Sequence, residues 1–212
     1  MEQEIKTDIF PSSLSSLPLR MSFEEFLEWS DEDIWAEWVN GEVIPMGPVS
    51  LWHQNVALFL STLLHHFVEA KDRGIILTAP FVMKTGVRLS GREPDIIFIA
   101  RERQKYLRSN YLNGPANLAI EVISPDSRTR DKVDKFHEYE QGGVEEYWII
   151  DPIHSQAEFY YRGKDSVFVP ILVNKEGIFQ SIVLDGLWIK VDWLWQEPLP
   201  KLMSVLRAWE LV

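Results

Sequence analysis

Apolar residues recur with two different periods along this chain. Between Ser50 and about Lys71 they recur every three or four positions, which predicts an amphipathic helix with Gly74 as its stop. A shorter helix is predicted to begin at Ser22, because Glu25 follows three residues later as in a capping box. Beyond residue 74 the helical period is lost, and the following segments are short apolar runs.

These later apolar runs predict β-strands. They are separated by glycine, proline and other turn residues, and they read IILTAPFVMK, GVRLSGREPDIIFIA, NLAIEVIS and VEEYWIID. Further on, AEFYYRG and SVFVPILV indicate a hairpin. Between NLAIEVIS and VEEYWIID, a second helix is predicted from Asp131 to about Gln141, ended by Gly142-Gly143.

The order of these elements predicts an α/β fold with a mixed central β-sheet flanked by helices and further strands toward both ends. Residues 1–20 predict a flexible leader, and residues 21–212 a single domain. Near the start of that domain, Asn40-Gly41 predicts a turn between two short extended pieces. A Trp-rich strand or loop and a short helix close the chain.

Composition narrows the class of protein. Hydrophobic residues make up 46% of 212 positions, enough to bury a core, and the absence of cysteine excludes disulfides and cysteine-based zinc sites. The acidic N-terminus lacks the features of a signal peptide, and no run approaches the roughly 20 apolar residues that cross a bilayer. We therefore expect a soluble, cytoplasmic protein with no membrane partner.

The net charge of −11 argues against a broadly basic surface for nucleic acid. A polyanion would have to meet a local basic patch, and two segments are candidates. RERQKYLR carries Arg101, Arg103, Lys105 and Arg108, and SRTRDK carries Arg128, Arg130 and Lys132. Ordinary solvated loops and helix ends explain such short clusters at least as well.

Two acidic residues stand where buried strands should be apolar. Asp95 opens PDIIFIA, and Glu121 lies inside NLAIEVIS on the same face as Ala119 and Ile123. A buried carboxylate must be paired, protonated or metal-bound, so a salt-bridged core acid is one interpretation. The other is a site for Mg²⁺ or Mn²⁺, which would relieve the repulsion of two adjacent acids. Zinc is disfavoured, because cysteine is absent and the histidines are scattered.

The second predicted helix adds three polar residues on one face. Asp131, Lys135 and Tyr139 follow each other at intervals of four. An exposed acid–lysine pair, worth a few tenths of a kcal/mol, explains the first two. In the functional interpretation, Lys135 reaches the carboxylates and orients an attacking water beside a bound phosphate, with Asp131 and Tyr139 as accessory residues.

The order of these motifs also resembles a known family. PDIIFIA followed by NLAIEVISPDSRTRDKVDKFHEYEQGGVEEYWIIDP resembles the Uma2 family of restriction-endonuclease-like proteins, part of the PD-(D/E)XK nuclease superfamily. The resemblance extends from NGEVIPM through VDWLWQ, which is most of the chain. It implies a restriction-endonuclease-like core of helix, three strands, helix and strand, with the acids on adjacent strands.

The resemblance implies roles for individual residues. Asp95 matches the aspartate of the Pro-Asp motif and Glu121 the (D/E) position, and both would hold Mg²⁺ (or Mn²⁺) with a backbone carbonyl near Val122. Two residues after Glu121 stands Ile123 instead of the superfamily's lysine, and the resemblance implies that Lys135 replaces it from the following helix.

Two further positions match the family pattern. Glu42, in NGEVIPM, would add a third carboxylate, and His53, in SLWHQN, is a possible accessory residue. The implied function is a metal-dependent endonuclease acting on nucleic acid, most simply DNA. The departure at position 123 and the net charge keep two alternatives open, an inactive nuclease-fold interaction protein and a metal-dependent hydrolase of small phosphate esters.

A homodimer is also expected, because a two-fold assembly suits cleavage of both strands of a duplex. Nine tryptophans are more than a core ordinarily needs. The alternative explanation is that Trp188, Trp193 and Trp195 pin the C-terminal segment to the sheet.

Overall fold

The computed structural model describes residues 19–30, 34–86, 90–124 and 127–212. The leader predicted over residues 1–20 lies outside the described residues, except for its last two positions. The α-helices in the described ranges are α1 (Phe23–Trp29), α2 (Leu51–Ala70), α3 (Lys135–Gly142) and α4 (Leu202–Ala208). The strands are β1 (Ala36–Val39), β2 (Glu42–Pro45), β3 (Gly74–Thr78), β4 (Val82–Lys84), β5 (Gly91–Arg92), β6 (Ile96–Ala100), β7 (Tyr111–Asn113), β8 (Leu118–Val122), β9 (Glu146–Asp151), β10 (Gln156–Arg162), β11 (Phe168–Pro170), β12 (Ile178–Gln180) and β13 (Trp188–Lys190).

The central sheet has six strands in the order β11-β10-β9-β8-β6-β3. β8 pairs with β9 in parallel, while β6 is antiparallel to both β3 and β8. The fold class predicted from the sequence, a mixed sheet flanked by helices, is confirmed. Two further sheets, β2-β1-β5-β4-β7 and β12-β13, contain shorter strands, and of these only β7 and β12 lie outside the segments predicted to be extended.

Alternation along β8 divides the core between the two faces of the central sheet. Ile120 and Val122 belong to a large cluster that includes apolar residues of α2 and α4. Ala119 and Ile123 belong to a second cluster with Tyr139 of α3. The sheet therefore lies between α2 and α4 on one side and α3 on the other, and the position of Glu121 is on the side of α3.

The predicted helix caps and the predicted turn are present in the structure. Ser22 caps α1 in a capping box, with its hydroxyl accepting from Glu25 N–H and the Glu25 carboxylate accepting from Ser22 N–H. Asn40 and Gly41 both have positive φ, 52° and 88°, as a two-residue turn between β1 and β2 requires. Ser50 caps α2 by accepting from the backbone N–H of His53.

Two segments differ from the sequence prediction. Residues 101–116, for which the apolar pattern predicts no helix or strand, contain a 3₁₀-helix, Arg101–Tyr106, and strand β7. The helix expected from residue 131 begins with a π-helical turn, Arg130–Asp134, before α3. Its end is as predicted, with Gly143 in the left-handed conformation at φ 89°.

The C-terminal tryptophans pack onto the molecule. Trp188, Trp193 and Trp195 are partly buried against the large core cluster, as the pinning explanation predicts. No helix within the described ranges is both long and apolar enough to cross a membrane. The homodimer and the single domain over residues 21–212 remain predictions.

Candidate functional site

The two strand-borne acids lie next to each other at one end of the central sheet. In the antiparallel pair β6–β8, Ile96 is the partner of Ile120. Continuing this register by one residue places Asp95 opposite Glu121, and both line one cavity. The carboxylates converge because the Pro-Asp motif immediately precedes β6, where β8 approaches its own end.

Asp95 has two polar partners at this position. The backbone N–H of Val122 donates to Asp95 Oδ2 at 2.7 Å, and His53 Nε2 lies 3.2 Å from the same oxygen. His53 comes from the first turn of α2, and its Nδ1 is buried without a hydrogen-bond partner among the described residues. The second oxygen of Asp95, Oδ1, accepts no hydrogen bond from the described residues.

Glu121 is buried between two residues of α3. Tyr139 donates its hydroxyl to Glu121 Oε1 at 2.7 Å, and Lys135 Nζ lies 2.9 Å from Glu121 Oε2. The Glu121 side chain is only 3% exposed. Each carboxylate oxygen therefore has one fixed partner and retains a second lone pair.

Lys135 lies at the centre of this cluster. Its ammonium group contacts three carboxylates: Glu121 Oε2 at 2.9 Å, Glu37 Oε1 at 3.0 Å and Asp131 Oδ1 at 3.3 Å. Asp131 and Lys135 are each 2% exposed, so the interpretation of this pair as an exposed surface pair is wrong. The preceding π turn, closed by Lys135 N–H donating to Arg130 C=O, sets the rotation of this helix, and such turns occur frequently at functional sites.

Charges inside the cluster shift the ionisation of its members. Burial would lower the pKa of Lys135, but Glu121, Glu37 and Asp131 together raise it above its ordinary value, so the ammonium stays charged. Burial would raise the pKa of Glu37, but Lys135 and Arg92 lower it to about 2.

In contrast to Glu37, the acids beside the cavity have raised pKa values. Burial raises the pKa of Glu121 well above its ordinary value, and Asp131 and Asp95 add to the rise against the attraction of Lys135. Burial, with the nearby charge of Glu37, raises the pKa of Glu93 to about 8. For both acids, the attraction of Lys135 is therefore smaller than the combined effect of burial and of the neighbouring carboxylates.

The cavity that these groups line has a volume of about 270 Å³. Besides the two strand-borne acids, its wall includes Glu93, Asp131 and Arg130, together with Ser124 and Ser127. Glu93 Oε2 is buried and has no hydrogen-bond partner in the described parts of the chain. The wall thus combines carboxylates near β6 and β8 with the serines, Arg130 and Asp131 of the segment that follows β8.

Glu42, expected as a third carboxylate, does not lie at this cavity. Within the β1–β2 hairpin it is the partner of Val39, and its carboxylate forms an ion pair with Arg20. Glu37 occupies a place two residues further from the turn, opposite Ile44, and reaches Lys135. Glu42 is thus displaced by roughly 7 Å along the strand, at about 3.4 Å per residue.

The sequence reasoning missed Glu37, Glu93 and the orientation of Arg130. Glu37 lies in a four-residue strand whose alternation also suits a solvent-facing acid. The sequence around Glu37 therefore did not indicate that its side chain is buried. Glu93 stands directly before Pro94-Asp95, and its place in an otherwise buried segment was the available signal.

Most cations of the two basic segments contact acids or backbone carbonyls of the protein itself. In the first, Arg101 pairs with Asp72 and Arg103 pairs with Glu145. Arg108 donates to the backbone carbonyls of residues 105 and 107.

The second basic segment is also largely occupied by ion pairs. Arg128 pairs with Asp151, and Lys132 pairs with Glu158. Arg130 instead lines the cavity.

The donors at the cavity fit a hard divalent cation. Within the described ranges, no group of three or more His, Cys, Asp or Glu side chains is arranged to hold a metal ion by itself. Asp95 and Glu121 supply carboxylate oxygens from adjacent strands, and Mg²⁺ characteristically takes one or two carboxylates together with water and phosphate. The excess of acids over cations around Glu121 favours a positive ion at this place.

Comparisons with known proteins agree with this fold. A family model named Uma2, with the description "Putative restriction endonuclease", matches residues 23–192. The chain is similar to the crystal structure of a putative nuclease belonging to DUF820 from Anabaena variabilis, with a TM-score of 0.67 and 15% sequence identity. The match covers 82% of this chain and 97% of that one, and at this identity it shows the fold alone. No curated protein matches the chain.

Proposed function

The chain belongs to the Uma2 family, and from this membership and the geometry of its cavity we propose that it is a metal-dependent endonuclease that hydrolyses phosphodiester bonds. One observation carries the proposal. Two carboxylates from adjacent strands, Asp95 and Glu121, line the same cavity beside the ammonium group of Lys135. This is the arrangement that the Pro-Asp, (D/E) and displaced lysine positions of the PD-(D/E)XK pattern require.

In the proposed mechanism, some side chains of the cavity would hold the ion and others would position those ligands. A Mg²⁺ or Mn²⁺ ion bound there would polarise the phosphodiester and lower the pKa of a coordinated water. Asp95 and Glu121 would hold this ion, with the backbone carbonyl of Val122 as a further oxygen donor. His53 and Tyr139 fix the two carboxylates by their contacts at 3.2 and 2.7 Å.

Lys135 is proposed to act as a fixed positive charge. Its raised pKa keeps the ammonium protonated, so it does not accept the proton of the attacking water. It contacts Glu121, one of the two carboxylates that would hold the ion, and it would offset charge that develops on the phosphate.

A second candidate, a hydrolase of small phosphate esters, is favoured by a different observation. The cavity is small, about 270 Å³, and most cations of the two basic segments are engaged in ion pairs or in bonds to backbone carbonyls. The net charge of −11 also opposes long contacts with a polyanion. Family membership favours nucleic acid, most simply DNA, as the substrate.

Cleavage assays separate these candidates. We expect the purified protein to nick or linearise plasmid DNA in Mg²⁺ or Mn²⁺. Cleavage is expected to stop when EDTA removes the ion, because the phosphodiester is then no longer polarised. A panel of small phosphomonoesters and phosphodiesters measured in the same buffer is expected to give little turnover. Turnover confined to the small esters would support the second candidate, and DNA cleavage undiminished in EDTA would contradict both.

A further inference from the structure

Arg130 lines the cavity, and its guanidinium is not fully hydrogen-bonded by the described residues. It lies in the π-helical turn that precedes α3, and its side chain is 24% exposed. Its Nε is buried and has no hydrogen-bond partner within the described residues. The nearest carboxylate oxygen, Glu37 Oε2, lies 3.9 Å away, at the limit of an ion pair.

Glu37 does not need Arg130 as a partner. Its two oxygens already receive Lys135 Nζ at 3.0 Å and Arg92 Nη1 at 2.9 Å. These two cations lower the pKa of Glu37 to about 2 against the opposing effect of burial. A guanidinium retained beside a satisfied carboxylate, without hydrogen-bond geometry, is not explained by that ion pair.

The neighbouring cations of the same segment are engaged elsewhere. Arg128 pairs with Asp151, whose side chain is 1% exposed, and Lys132 pairs with Glu158. Arg130 is the cation of this segment that lines the cavity in the described ranges. Its position beside the carboxylates therefore serves something other than surface charge.

The wall beside Arg130 is built from polar groups of the same segment. Ser124 and Ser127 line the cavity, and the Ser127 hydroxyl accepts from Ser124 N–H at 3.0 Å. A guanidinium carries five donors in a planar fork that matches the oxygens of a phosphate. The cavity thus contains carboxylates suited to a cation and also an arginine suited to an anion.

We propose that Arg130 binds a non-bridging oxygen of the phosphate that is cleaved, in the same cavity in which Asp95 and Glu121 would hold the ion. This inference rests on the proposed function for the identity of the phosphate as a phosphodiester. The binding of a phosphate group by Arg130 follows from the cavity itself. Arg130 would stabilise the charge that accumulates on the phosphate in the transition state.

Three variants and one direct measurement test this assignment. Arg130→Gln removes the charge and the fork, while Arg130→Lys keeps the charge alone. Arg128→Gln, two residues away and paired with Asp151, is the matched control. For each we would measure kcat and KM for DNA cleavage in Mg²⁺ and the thermal midpoint of unfolding.

We expect Arg130→Gln to lower kcat by about 10²–10³-fold, as the loss of one donor to a developing oxyanion does, with a smaller change in KM. Arg130→Lys should recover part of this loss, and Arg128→Gln should stay within about twofold of wild type. An unaltered kcat in Arg130→Gln would overturn the proposal, while Asp95→Asn, which alters a proposed ligand of the ion, would still test the proposed function. Equal losses in Arg130→Gln and Arg128→Gln would overturn it as well.

The direct measurement uses the wild-type protein and needs no activity. In Mg²⁺, the side-chain Nε–H signal of Arg130 is followed by NMR while inorganic phosphate is added, with Arg128 as the internal reference. We expect a saturable shift of the Arg130 signal that exceeds the shift of Arg128. If the protein cleaves no phosphodiester, such a shift upholds the phosphate site while the endonuclease proposal fails, and no shift at Arg130 overturns the site itself.

Discussion

Replacing Asp95 by Asn, or Glu121 by Gln, is expected to lower Mg²⁺-dependent DNA cleavage by at least about 10³-fold. A bound divalent ion contributes several kcal/mol of transition-state stabilisation, and about 1.4 kcal/mol corresponds to a factor of ten in rate. Each amide keeps the shape of the side chain but weakens its hold on the cation. The measurement is kcat/KM for cleavage of one defined duplex at fixed Mg²⁺ and salt.

A charge-matched control separates this effect from a general change in surface charge. Asp185→Asn removes an exposed carboxylate, 90% accessible and loosely paired with Arg73 at 3.8 Å. It should cleave within about twofold of wild type and unfold at the same temperature. Wild-type rates in both Asp95→Asn and Glu121→Gln would remove the two acids from the mechanism.

Replacing Lys135 by Met is expected to reduce both the stability and the cleavage activity of the protein. The substitution leaves Glu37, Glu121 and Asp131 without the ammonium that lies within 3.3 Å of each. Removing one partner of a buried ion pair costs about 3–5 kcal/mol, because the remaining charges stay buried and uncompensated. The free energy of unfolding is measured by denaturant titration in EDTA, and cleavage is measured in Mg²⁺.

Lys132→Met is the matched control from the same helical segment. Lys132 pairs with Glu158 at the surface, with the two side chains 22% and 36% exposed, and such pairs contribute at most about 1 kcal/mol. If Lys135→Met unfolds at the same denaturant concentration as Lys132→Met, the carboxylates around Lys135 do not carry the charges described here. If it cleaves DNA as fast as wild type, Lys135 has no part in the reaction.

The positions of Asp95 and Glu121 could be read from the sequence because strand geometry is local. Alternation along NLAIEVIS fixed the face of Glu121, and the structure groups its neighbours Ala119 and Ile123 in the cluster on the side of α3. The central sheet and its flanking helices followed from equally local signals, namely the period of apolar residues and the glycines that interrupt it.

Contacts between segments that are far apart in the sequence could not be predicted from such local patterns. Glu37 lies in a separate sheet, about a hundred residues before Lys135, yet the two charges are 3.0 Å apart. The family pattern indicated Glu42 as the additional acid. The register of the hairpin places Glu42 nearer the turn, where it meets Arg20 instead.

The environment of Lys135 could also not be predicted from the sequence of its helix. The spacing of Asp131 and Lys135 predicts an ordinary α-helical pair, and such pairs are usually exposed. The π turn over Arg130–Asp134 has no signature in this sequence, and the contact of Lys135 with Glu37 of β1 comes from a segment distant in the chain. Local spacing therefore identified the pair but not its environment.

The central claim is that Asp95 and Glu121 converge on one cation, and a crystal soaked in Mn²⁺ tests it most directly. Anomalous diffraction at the manganese edge locates the ion without assumptions about activity. The account predicts a single strong peak in the cavity, within coordination distance of one oxygen from each of the two carboxylates. A cavity without a peak, or an ion bound by only one of them, would contradict it.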